Sequence, residues 1–177
     1  MYDRIRTYLD KFLEGLVALT MGALVVDVTW QVNTRFVLRN PSSWTEELAT
    51  FLLIWVGLLG SSVALERGAH LGIDFFVNRM KPRNRLITEI FVFACVAAFS
   101  ASVLVVGGIQ LVQVTLSTHQ LSPALGIRMG YVYLALPISG FFLTLYSTEF
   151  FVRRVIMLIK GETLTKVEVT GPKGVLD

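Results

Sequence analysis

Four long stretches with almost no charge constrain this chain more than anything else in it. Residues 90–118 contain no Asp, Glu, Lys or Arg, and neither do residues 48–64 or 131–148. A fourth stretch, 12–37, is interrupted only by Glu14 and Asp27 before it reaches Arg35. A membrane-spanning helix needs about 20 predominantly apolar residues. Helices of a water-soluble core need a polar face, and these have almost none. Charged residues make up 16% of the 177-residue chain, against roughly 25% in soluble domains. The reading is an all-α integral membrane protein with four transmembrane helices, at about residues 12–37, 46–65, 86–118 and 131–159. Residues 1–160 form one membrane domain, and the polar segment 161–177 is a cytoplasmic tail. The first apolar run is too long for a signal peptide and lacks a small-x-small cleavage site, so an uncleaved first helix is expected.

The basic residues fix an orientation. With the loops assigned alternately to two sides, one side collects 13 of the 16 Lys and Arg residues, leaving Arg35, Arg39 and Arg128 on the other. Cytoplasmic loops carry the excess of Lys and Arg, so both termini are expected in the cytoplasm. The net charge of +3 is therefore topological, and no nucleic-acid partner is implied. Between the second and third spans, Ile73, Phe76, Val77 and Met80 recur at helical spacing among Asp74, Asn78, Arg79 and Lys81. That pattern predicts a short amphipathic helix at about 70–81, lying in the cytoplasmic interface and ended by Pro82. Phe76, Arg79, Lys81, Arg83 and Arg85 are the candidate anchors to phospholipid there, and Trp30 is one at the outer interface, where Trp and Tyr are favoured. Gly107-Gly108 in the middle of the third span allows either a close helix contact or a bend that acts as a hinge, and Pro137 predicts a kink in the fourth. Glu149 and Arg153 are spaced for ordinary pairing along one helix.

Ligand counting excludes most membrane chemistry. The two histidines, His70 and His119, fall on opposite sides of the membrane and cannot share a haem. There is no HExxH and no GxSxG, and the lone Cys95 rules out a dithiol centre. No cofactor, metal or catalytic residue is expected. Asp27 is the clearest ionisable residue within a span. It is either a proton or cation site, or an acid that meets a polar group on another helix or a partner; Arg35 lies within snorkelling reach. Glu46 and Glu47 open the second span in the stretch WTEELATFLLIW. Ser43 and Glu46 fit a capping box, and acidic side chains at a helix start gain about 0.3–1 kcal/mol from the helix dipole.

Read in order, PSSWTEELATFLLIWVGLLGSSVALERGAHLGIDFFVNRM, a basic loop, a long apolar span and SPALGIRMGYVYLALPISG resemble the small membrane subunit of tripartite ATP-independent periplasmic (TRAP) transporters, the DctQ-like or Q subunit. The resemblance rests on the tryptophan and paired acids opening the second span, on Arg67, Gly68, His70 and Asp74 in an R-G-x-H-x-x-x-D run, and on Leu136-Pro137-Ile138. Arg128 stands where many members have proline. The resemblance implies a non-enzymatic subunit in the bacterial inner membrane. Its implied partners are a large, M-type membrane subunit of elevator type and a periplasmic, P-type substrate-binding protein. The implied transport is sodium-coupled and moves organic acids, sialic acid or dicarboxylates. The small subunit would pack on and enlarge the static scaffold. On this reading Trp44, Glu46, Glu47, Asp27, Gly57, Gly60, Arg67, His70 and Asp74 are the candidate partner-interface residues. The alternative is a stand-alone small ion-coupled transporter using Asp27.

Overall fold

The computed structural model describes residues 2–40, 42–67 and 82–160. The expected interfacial helix at 70–81 and the tail at 161–177 lie outside them. Within the described residues every regular element is helical. α1 is Tyr2–Phe36, α2 is Ser43–Glu66, and α3, Pro82–Phe99, runs into a π-helical segment, Ser100–Gly107, and then α4, Gly108–Ser117. A short α5, Met129–Tyr133, is followed by α6, Ala135–Lys160. The segments long and apolar enough to cross a membrane are Thr7–Phe36, Ser43–Glu66, Asn84–Ser117 and Met129–Lys160. They fall within a few residues of the four expected spans.

The helices do not close into a square bundle. α1 packs on α2, α2 on α6, and α6 on α3 and the π segment. The spans therefore stand in a row, in the spatial order one, two, four, three, and each end helix has a single main neighbour. Span four is accordingly the most enclosed, with 39% of its apolar window buried against 6% for span three. The core lies where α1, α2 and α6 meet: Leu13, Leu59, Leu65, Phe142 and Tyr146 are all buried, with Trp55, Phe93 and Ile138 against them.

Local sequence explains how the row holds. On α1 the buried or half-buried residues include Leu13, Val17, Thr20, Leu24, Asp27, Gln31 and Thr34. This is an unbroken alternation of four and three, the spacing of a coiled-coil seam. Thr20 and Thr34 return their hydroxyls to their own helix, to the carbonyls of Leu16 (2.7 Å) and Gln31 (2.9 Å). Span three meets span four through glycine. A Cβ on Gly108 would lie 3.0 Å from Leu136 Cβ and Pro137 Cδ, and one on Gly140 would lie 2.6 Å from Leu104 Cβ. Gly108 thus makes the contact expected of the glycine pair, whereas Gly107 faces only Ser102 O at 3.8 Å. Ser100 and Thr144 share a hydroxyl hydrogen bond of 2.9 Å across the same contact, and Ser62 donates to the Ser139 carbonyl at 3.2 Å from α2. The break expected from Pro137 is seen at Leu134, between α5 and α6. A proline cannot donate to the residue four before it, here Tyr133, and its ring crowds that carbonyl.

The two ends of the row are stabilised differently. At the end bearing the α1 N-terminus, Arg67 grips Glu14 at 2.6 Å, Tyr146 donates to Asp10 at 2.6 Å, and Arg85 and Arg154 bracket Glu89 at 3.0 and 2.8 Å. Arg153 pairs with Glu149 at 2.5 Å as the spacing predicts. At the other end two connections turn through left-handed residues. Arg39 has φ 51° and His119 φ 50°. His119 follows α4 as its left-handed cap: its amide donates to the Leu116 carbonyl at 3.2 Å, and Gln120 reaches back to Thr115 at 3.4 Å. This is the paired-bond helix ending usually given to glycine.

Candidate partner interface

The paired acids at the start of α2 divide their tasks. Glu47 Oε2 accepts the backbone amides of Ala124 (2.8 Å) and Leu125 (2.9 Å), from the loop that joins spans three and four. That loop is a tight hairpin. Ser122 N donates to Ile127 O at 2.8 Å, Gly126 N to Ser122 O at 3.0 Å, and Met129 N to Gln120 O at 3.0 Å. Gly126, at φ 66°, supplies the left-handed turn. With its carbonyls engaged inward, the hairpin presents two free amides outward, and a carboxylate is the acceptor that satisfies both. Glu47 is therefore a latch between the start of span two and the loop between spans three and four. No described residue pairs with the carboxylate of Glu46, which is exposed beside the half-exposed Trp44.

The capping box expected from Ser43 and Glu46 is not formed. The helix starts at Ser43, so its cap is Ser42. The Ser42 hydroxyl meets the Thr45 hydroxyl at 2.5 Å, and Thr45, fully buried, takes the third helical position that the box would give to an acid. Glu46 falls one residue later, at the fourth helical position, and is exposed.

Below Glu46 on α2, the exposed positions are Thr50, Leu53, Gly57 and Ser61. These share one face of the helix with Gly60 and Ala64. A Cβ placed on Gly57 or Gly60 would meet nothing within 4 Å. The small residues of α2 thus serve two directions. Ser62 is consumed inside the row, while the face carrying Gly57, Gly60 and Ser61 is left open.

The remaining candidates are scattered. Asp27 is 7% exposed on the α1 seam, and its Oδ2 has no hydrogen-bond partner. Arg35 is exposed and does not reach it. Arg67 is held by Glu14, whose hydrogen bond and charge push its guanidinium above the ordinary arginine value. Trp30 is half exposed near the C-terminal end of α1. Arg85 pairs with Glu89. His70, Asp74, Phe76, Arg79 and Lys81, like the side chain of Arg83, lie outside the described residues. Among the described residues no three His, Cys, Asp or Glu converge.

Reading residues alone missed three features. The Glu47 latch bridges 77 positions and has no local signature. Gly140 is the tighter half of the span-three contact, and only its place a turn beyond Pro137 hinted at it. The seam of α1 did have a signal, since Thr20, Asp27 and Thr34 recur every seven residues in an apolar helix.

Comparison with known proteins places the chain in a family. Residues 24–157 match the family described as tripartite ATP-independent periplasmic transporters, DctQ component. The chain is 30% identical over 145 residues to the sialic acid TRAP transporter small permease protein SiaQ of Vibrio cholerae, covering 82% of each chain. It is 29% identical over 104 residues to the C4-dicarboxylate TRAP transporter small permease protein DctQ of the same organism, covering 59% of this chain and 45% of that one. It is also 36% identical over 96 residues to the sialic acid TRAP transporter permease protein SiaT of Haemophilus influenzae, where the match takes up 52% of this chain but 16% of that longer one. With the four apolar spans, these matches make it a multi-pass membrane protein of a transporter family. The chain belongs to the DctQ-component family of TRAP transporter small permease subunits.

Proposed function

We propose that this subunit is a static brace for a large permease subunit in a sodium-coupled TRAP transporter of organic acids, sialic acid or C4-dicarboxylate in type. The row of helices carries the reading. A closed bundle hides its small residues inside, but a row leaves two broad faces. One of these carries Glu46, Thr50, Gly57, Gly60 and Ser61, a poor surface for lipid chains and a good one for a close helix contact. The length of the SiaT match supports the same partner, because there a segment like this one sits within a much longer permease chain. Under this reading the large subunit covers the open face of α2, and Glu46 meets a donor on it. The rigid outer hairpin held by Glu47 faces the periplasm and contributes to seating the substrate-binding protein. Both termini lie in the cytoplasm, and the segment 70–81 anchors the brace in the inner leaflet.

The test is uptake into proteoliposomes holding the full chain, the large permease encoded with it, and the binding protein, with sialic acid and a C4-dicarboxylate as solutes under an inward sodium gradient. Uptake is expected only with all three proteins. Solute movement with this chain alone would favour the stand-alone transporter and refute the brace.

A further inference from the structure

Asp27 is a carboxylate that the structure encloses without providing for. It is 7% exposed, its Oδ2 is buried, and no described residue donates to it. Its surroundings can be read from the register of α1 against α2. These helices are antiparallel and are joined by Glu14 and Arg67 at 2.6 Å. Equal rise along both helices then sets Asp27 opposite about residue 54. Residues 48–65 of α2 contain no ionisable group. On α1 itself the nearest charges are Glu14, which is engaged by Arg67, and Arg35, which is exposed and about 12 Å further along at 1.5 Å per residue. Gln31, one turn on in the same seam, makes no hydrogen bond to it. Thr20 and Thr34 have given their hydroxyls to their own helix.

A bare carboxylate in such a place is costly, and three kinds of occupant would relieve it. A metal ion needs about six oxygen ligands, and this seam offers one carboxylate and one amide. A basic side chain from another subunit could reach only the 7% of the residue still exposed and would leave the buried Oδ2 without a donor. A proton needs a single acceptor and no extra room. We propose that Asp27 is a proton-binding site, holding a neutral carboxylic acid in the α1–α2 seam of the assembled subunit. The seam is then tight while the acid is neutral and loosens when the proton leaves. This assigns Asp27 a structural proton and does not depend on which solute the transporter carries.

Infrared spectroscopy reads the proton directly. The full chain, alone and co-purified with its large permease, is placed in lipid nanodiscs and compared with Asp27→Asn. At neutral pH the wild type should show a protonated-carboxyl C=O band that is absent from Asp27→Asn and that disappears as the pH is raised. Thermal stability of the wild type should fall across the same interval, and that of Asp27→Asn should stay flat. If that variant does not fold, Asp27→Glu should keep a protonated-carboxyl band that lacks the isotope shift carboxyl-13C aspartate gives to the wild-type band. A wild type without the band, a band that survives in Asp27→Asn, or a wild-type band without the isotope shift overturns the proposal. A band lost on binding the large permease also overturns it, since that would mean an ionised Asp27 facing a base from the partner.

Discussion

Removal of the Glu47 latch should uncouple the hairpin between spans three and four from span two without disturbing the row. One oxygen accepts two amides, at 2.8 and 2.9 Å. A hydrogen bond to a charged group contributes about 1.5–3 kcal/mol net when sheltered. Ala124 is exposed and Leu125 half-buried, so water would replace part of what is lost. An estimate for both bonds together is therefore about 1.5–3 kcal/mol for Glu47→Ala, with about half that for Glu47→Gln, which keeps an acceptor but loses the charge. Opening the hairpin by this amount speeds amide exchange about tenfold to a hundredfold, at about 1.4 kcal/mol per decade. The assay is hydrogen–deuterium exchange by mass spectrometry on the purified chain, following the peptide that covers residues 120–128. Glu46→Ala is the matched control, because no described residue holds its carboxylate, and it should leave that peptide unchanged. Equal exchange in wild type and Glu47→Ala would refute the latch. Equal acceleration by Glu46→Ala would show a general effect of charge at the helix start instead.

Other substitutions separate internal from external contacts. Gly140→Ala sets a methyl 2.6 Å from Leu104 Cβ and 3.0 Å from its backbone carbon, so thermal unfolding in detergent should show a loss of about 1–3 kcal/mol. Gly57→Leu enters open space, and the isolated chain should keep its melting temperature while yield of the complex with the large permease falls in pull-down. His119→Gly relieves a left-handed residue at a helix end and should stabilise the chain by up to about 1 kcal/mol, measured by the same unfolding assay, whereas His119→Val should destabilise it.

The spans were legible because length and absence of charge suffice to specify them, and Pro137 placed the break in span four by a local steric rule. The family resemblance, too, was carried by residues in order along the chain. What stayed hidden depends on contacts across the chain. Four antiparallel helices can close into a square or stand in a row, and both arrangements draw on the same apolar faces. Glu47 looked like half of a symmetrical pair because its partners are backbone amides, which any sequence has. Ser43 and Glu46 satisfied a capping pattern, yet the helix began one residue away from where the pattern required. The π-helical segment packs Leu104 and Val105 against Gly140, and nothing in SASVLVVG announces it.

On the proposed function, the chain is one half of an interface, completed by a larger permease that it braces. The decisive measurement is native mass spectrometry of the tagged full chain, extracted from membranes of cells that also produce a large TRAP permease subunit. The account predicts a one-to-one complex with a large permease subunit, lost in Gly57→Leu and retained in Glu47→Ala. A chain that emerges alone, or bound only to copies of itself, would contradict it.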